Sequence, residues 1–429
     1  MSCPARDTGH GGWGPDDRNP EPTAHLLMQL KRGGNAMLRF NLNLFSFVLM
    51  LTVGLWSFAG QADGFHYRYV SLDQFALPPP FTSFFPSAIQ DSGRVYGSVC
   101  DNSGIVCQIA FYKDGTVTVF QSSGFAGPVN ERGTVGGSVL VDPVNFIVQA
   151  ALFRGDDVKL IPPQPGEVFA SVLALNDRGT ALVGSSDASG GTTYVLYSKG
   201  NAAPFNFGPT ITNPFFGFSG VPRIINNEGI IAGTEANLGI FNGARGFRFD
   251  PRTGQAMLLN PFPGDPTETL AWGLGINSRG DVLGYSFVLG APYHERIGVW
   301  DHNGVFQTYF VETISSSRLL FNDDNLIVIS QVAGTHASYL VPTPGVRLNL
   351  ADLVVNLPAG QDLFIIGDMN NHGDMFGFSS PNNNFLLQRV GEAEARSFAT
   401  PDVKNARHVI RPVIAAMRRR LMPQINELK

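Results

Sequence analysis

Short runs of alternating apolar and polar residues fill most of this chain, separated by clusters of Gly, Asn and Asp. Alternation with a period of two is the mark of a half-buried strand, and the Gly/Asn/Asp clusters are turn signals. One string recurs: IQDSGRVYG (89–97), VNERGTVGG (129–137), INNEGIIAG (225–233), INSRGDVLG (276–284) and MNNHGDMFG (369–377). LNDRGTALVG (175–184) carries one extra residue, and FNDDNLIVI (321–329) lacks both glycines. Asn at the first turn position and Gly at the fourth fit a type I turn, because Asn bonds nearby backbone and Gly accepts a positive φ.

Around this string each unit reads strand, tight turn, strand, long loop, strand, tight turn, strand. The third strand has an aromatic or aliphatic core, as in IAFYK, YVLYS, GFRFD, IGVWD and SYLVP. A second Gly- or Asp-centred turn follows, and then a closing strand such as VTVFQ, VKLIP, AMLLN or FQTYF. The phase residues stand at 90, 130, 176, 226, 277, 322 and 370, a spacing of 40 to 51 residues. That is the length of one four-stranded propeller blade.

The ends of the array matter. YRYVSLD (67–73) has the pattern of a fourth strand before any first strand, and FLLQRV (385–390) has that of a third strand with no fourth after it. The count balances if the opening segment completes the last unit, which would remove exposed sheet edges. The expected fold is all-β: a seven-bladed β-propeller of four-stranded antiparallel blades, its ring closed by the N-terminal strand joining the last blade. On this reading Arg279-Gly280-Asp281 straddles a turn and is not an adhesion motif.

The 49 Gly and 29 Pro are spread along the 429 residues, as many short strands require. A net charge of −5 gives no basic face for nucleic acid. FSFVLMLTVGLWSFA (45–59) follows Arg39 and precedes small residues, the pattern of a cleaved secretory signal, with cleavage expected after Ala59 or Ala62. The expected organisation is a start-site artefact or disordered extension (1–36), a signal peptide (37–62), the propeller (63–393) and a basic, partly helical tail (394–429). Membrane contact would come only through an uncleaved signal. In VCDNSGIVC, Cys100 and Cys107 flank a turn-forming Asn-Ser-Gly, and outside the cytoplasm they are expected to form a disulfide.

The pattern A-x-x-I-N-x-x-G-x-V-x-G, followed by a strand with a small residue before an aromatic and then a Gly turn, resembles the bacterial extracellular HAF repeat family over residues 67–390. Ile109-Ala110-Phe111 and His336-Ala337-Ser338 are the nearest versions of the naming triplet. The resemblance implies a secreted or surface location and no particular reaction.

Strand direction alternates, so both tight turns of each unit fall on one face and the long, dissimilar loops on the other. Loops on a rigid scaffold are where binding evolves. The loops flanking Asn277 are the richest, with Glu268, Trp272, Tyr293, His294, Glu295 and Arg296 as candidate ligand-binding residues. Trp, Tyr and Arg are favoured interface anchors, and aromatic faces suit sugar rings. The Phe-rich loops (Phe81, Phe84, Phe85, Phe215, Phe216, Phe218) are expected to fill space between blades. No His-Glu-x-x-His, nucleophile elbow, phosphate loop or zinc-binding cysteine set is present. No catalytic residue, metal ligand or cofactor is therefore assigned. The acids Glu235, Asp265, Glu268 and Glu295 leave an extracellular glycoside hydrolase or polysaccharide lyase as an alternative, and a purely structural surface protein as another. The leading expectation is a secreted, monomeric, non-enzymatic propeller that binds a carbohydrate or protein through its long-loop face.

Overall fold

The structure is a computed structural model that describes residues 64–205, 222–235, 245–288, 294–312, 316–332, 337–379 and 383–398. These residues form an all-β fold built from antiparallel meanders of four strands. Among them, five sheets have four strands each, and a further eight-stranded sheet consists of two such meanders joined by a single parallel pair, Phe169 opposite Val148. One of the four-stranded sheets is assembled from both ends of the chain. His66–Ser71 pairs antiparallel with Asn383–Val390, with Tyr67 opposite Arg389 and Val70 opposite Leu386.

The recurrent turn behaves as its residue types require. In 129–137, Gly133 N donates to the Asn130 carbonyl and Asn130 N to Thr134 O, both at 3.0 Å. Asn130 Oδ1 accepts from Arg132 N and Thr134 N. This is a type I turn with a bulge residue at positive φ. Where the repeat has lost its turn glycine, Asn325 takes the same conformation, φ 64°, which Asn tolerates better than most residues. The second repeat glycine has a different cause. A bulge between Gly273 and Gly275 turns the Trp272 carbonyl toward the neighbouring strand, and a Cβ on Gly284 would lie 1.7 Å from that oxygen.

Each phase residue also reaches the next unit. Gln90 Nε2 donates to the Asn130 carbonyl, Asn130 Nδ2 to Asn176 O, Asn176 Nδ2 to Asn226 O and Asn226 Nδ2 to Asn277 O. Asn277 Nδ2 donates to Asn325 Oδ1, Asn322 Nδ2 to Asn370 O, and Asn370 Nδ2 to Gln90 O. All seven phase residues are buried, and six of these amides answer main-chain carbonyls of other buried phase residues.

The core sits between successive sheets rather than inside one. Leu270, Tyr285, Phe287 and Ile297 pack against Leu319, Ile327 and Val341 of the following sheet. Ala271, Val282 and Trp300 pack against Ile230, Ala232 and Leu259 of the preceding one. Phe376 and Leu386, near the C-terminal end, pack with Phe84, Val95 and Tyr112 of the first complete meander.

The Arg-Gly-Asp triplet at 279–281 is architectural. Asp281 is buried, its amide donates to Asn277 Oδ1, and Arg279 Nε donates to its carboxylate at 3.0 Å. A short helix, Glu392–Phe398, follows the last strand, with Ala395 buried and Arg68 3.7 Å from Glu394. The basic stretch at 407–429, like the signal segment, lies outside the described residues. Among the described residues, no helix is long and apolar enough to cross a membrane.

Candidate functional site

The sheet around Asn277 contains strands Leu270–Ile276, Val282–Phe287, Glu295–Trp300 and Phe306–Glu312. The first strand begins, the second ends and the third begins on the long-loop side. The incoming loop is ordered by a turn in which Glu268 N donates to Asp265 O. Thr267 donates to Asp265 Oδ1 from its amide at 3.0 Å and from its hydroxyl at 2.6 Å. This local bonding by Asp is the usual competitor of regular structure in turns. It sets Glu268 three positions on, two residues ahead of the strand. From the other loop, His294 lies directly before Glu295–Trp300 and accepts at its carbonyl from Val288 N at 3.3 Å.

These two loops and the strand that follows the second bring five side chains together. Arg296 Nε donates to Glu268 Oε1 at 2.8 Å, and His294 Nε2 lies 3.1 Å from the same oxygen. His294 Nε2 is also 3.5 Å from Asp265 Oδ2. The Arg296 guanidinium sits 4.2 Å from the Phe262 ring centroid, and Phe262 N donates to Ser286 Oγ at 2.7 Å. The Glu268 side chain is 0% exposed, and among the described residues its Oε2 has no hydrogen-bond partner. Asp265 is held below the usual carboxylate range, first by the Thr267 hydroxyl, then by the Thr267 amide, with smaller contributions from the charges of His294 and Arg296.

The candidates read from sequence therefore divide. Glu268, His294 and Arg296 converge. Trp272 and Glu295 do not join them. Register puts Arg296 opposite Ser286 and Ser286 opposite Ala271, whereas Trp272 is opposite Tyr285 and Glu295 opposite Phe287. Successive strand residues face opposite sides, so Trp272 and Glu295 share the other face of the sheet. Trp272 is 37% exposed and meets Phe287 edge-on at 5.1 Å, and Glu295 is buried. Tyr293 and His336 lie outside the described residues. The expected disulfide is formed between Cys100 and Cys107, which face each other across a hairpin.

Sequence reasoning missed Phe262 and Thr267, because ring stacking and turn bonding between two loops leave no spacing signal. It also misassigned Phe85. Phe84 is buried in the core as expected, but Phe85 is 52% exposed, because adjacent strand residues cannot both face inward. Phe215, Phe216 and Phe218 lie outside the described residues. Phe85, Phe125 (38%), Phe169 (48%) and Trp272 are all exposed aromatics on the first strand of a four-stranded meander.

No family model matches the chain, and no curated protein matches it in sequence. Similar solved structures include the β-propeller domain of the Trilobed protease from Pyrococcus furiosus. That likeness has 8% identity, covers 73% of this chain and 98% of that one, and has a TM-score of 0.48. YCF48 bound to D1 peptide is similar at 12% identity over 76% of this chain and 95% of that one, with a TM-score of 0.42. TolB from Acinetobacter baumannii is similar at 12% identity and a TM-score of 0.38, covering 70% of this chain, which spans 65% of TolB. These likenesses concern the fold and carry no activity to this chain.

Proposed function

We propose that this chain is an exported, non-enzymatic β-propeller of the HAF repeat type, with seven blades in a closed ring, that binds a carbohydrate or protein partner through its long-loop face. Three observations support the closed ring: the pairing of His66–Ser71 with Asn383–Val390, the Asn370-to-Gln90 hydrogen bond, and the cluster that packs Phe376 and Leu386 against Phe84. The disulfide fits export to an oxidising compartment.

The observation that carries the binding reading is the exposed aromatic set Phe85, Phe125, Phe169 and Trp272 on first strands. Planar apolar faces with polar neighbours suit sugar rings and protein anchors alike. Asp265 and Glu268 meet at His294, and that juxtaposition favours hydrolase or lyase chemistry as the second reading. A glycan-array screen with a parallel polysaccharide-cleavage assay on the full chain tests both. The reading expects retention of a ligand that Trp272→Ala weakens at least tenfold, without cleavage. Turnover of any bound polysaccharide would overturn it in favour of the enzyme.

A further inference from the structure

We infer that Asp265, Glu268 and His294 form a binding site for one divalent transition-metal cation of the zinc class. Each residue offers one ligand atom, and the three atoms lie within 4.8 Å of one another. Ligands held about 2.1 Å from a tetrahedral metal stand about 3.4 Å apart. The separations from His294 Nε2, 3.1 Å to Glu268 Oε1 and 3.5 Å to Asp265 Oδ2, bracket that value.

The second observation is the state of the two carboxylates. Thr267 pins Asp265 through Oδ1, leaving Oδ2 toward the imidazole. Arg296 pins Glu268 through Oε1 and leaves Oε2 buried with no donor among the described residues. A buried carboxylate oxygen without a partner is costly, and a cation bound across both oxygens of Glu268, with Oε1 toward His294, removes that cost. At Asp265, one oxygen fixed by the protein and the other left toward the imidazole is the outer-shell pattern of metal-binding carboxylates.

Charge and donor type narrow the ion. Two carboxylates against one guanidinium leave a net −1 when His294 is neutral, so a dication is attracted even with Arg296 present. Imidazole with carboxylates suits Zn²⁺, Co²⁺ or Mn²⁺, whereas Ca²⁺ and Mg²⁺ take oxygen ligands. Three protein ligands leave a further position for water or a donor from outside. Asp265 and His294 remain partly open to solvent, which gives the ion a way in. The site does not rest on the binding partner proposed above, since metal uptake needs no partner.

The test uses the full chain without an affinity tag, stripped with chelator and titrated with Zn²⁺ by calorimetry and with Co²⁺ by visible absorption. The expected result is one equivalent bound, with Co²⁺ d–d bands, and at least tenfold weaker binding in both His294→Ala and Asp265→Asn. Circular dichroism establishes that each variant is folded. Should His294→Ala fail to fold, Asp265→Asn, a change in a surface turn, decides alone. Absence of binding, or equal binding in a folded variant, would overturn the site and leave an ion-pair cluster only.

Discussion

Asn370 Nδ2 donates to the Gln90 carbonyl at 2.9 Å, across 280 positions of sequence. The same side chain accepts from Asp374 N through Oδ1 at 2.8 Å, so a single amide holds its own turn and ties it to the first repeat. Asn226 does the same between neighbouring repeats, with Nδ2 on Asn277 O at 2.9 Å and Oδ1 accepting from Ile230 N.

Replacing either residue by Ala strands a buried carbonyl and a turn amide, buried at Ile230 and part-buried at Asp374. Each of Asn370→Ala and Asn226→Ala is therefore expected to lower unfolding stability by about 2–3 kcal/mol in urea titration. If Asn370→Ala were neutral while Asn226→Ala were not, the contact between the last and first repeats would carry no weight.

Stability should fall with rising pH because of Asp368. This residue lies on Ile365–Met369 and accepts from Ile89 N, in another sheet, at 3.1 Å. Burial pushes its pKa from 3.8 up to about 6, against the opposing effects of the Ile89 and Met369 amides and of Arg318. With the folded value above the unfolded one, the native state between those values holds a proton that the unfolded chain has released. Its contribution is thus present below about pH 4 and is lost by about pH 6, a change of roughly 3 kcal/mol. Asp368→Asn should gain stability relative to wild type across that window in denaturant titrations at each pH. A constant difference would contradict the assignment.

The charged cluster makes a coupling prediction. Removing Arg296 leaves the Glu268 carboxylate buried with His294 and Asp265, and Arg296→Ala should cost about 3 kcal/mol. Neutralising Glu268 as well should restore part of that. A double-mutant cycle with Glu268→Gln is expected to give a coupling energy above about 1 kcal/mol. Additive effects would mean that the two groups do not meet in solution.

Reducing or deleting the Cys100–Cys107 bridge should have a limited effect. It closes a short loop between paired residues, and chain entropy assigns such a loop about 2 kcal/mol. Cys100→Ser with Cys107→Ser should lower stability by that order and leave far-UV circular dichroism unchanged.

The strands and their order were readable because the repeat is written in backbone requirements. Gly280 must supply φ 81°, Gly284 must pass under a carbonyl, and Asn277 must cap its own turn, so two residue types at three positions mark most units. The loss of both glycines at 321–329 was legible, but that Asn325 takes over the positive φ of the turn glycine emerges only from the structure. The site was only half legible. Glu268, His294 and Arg296 stood out as charges in long loops. That Trp272 faces the other way depends on strand register, and a one-residue bulge alters which face a side chain takes. The roles of Phe262 and Thr267 depend on loop conformation, which alternation does not encode.

Arg68 and Gln388 stand directly opposite each other on the first and last strands, and their side chains are hydrogen bonded. Placing cysteines at both positions, Arg68→Cys with Gln388→Cys, tests ring closure directly, because disulfides form only where Cα atoms lie within about 7 Å. Peptide mapping of the purified double variant after air oxidation should recover a 68–388 disulfide in nearly every molecule, with a raised unfolding temperature. Free thiols at both positions in folded protein would mean that the ends of the array do not meet.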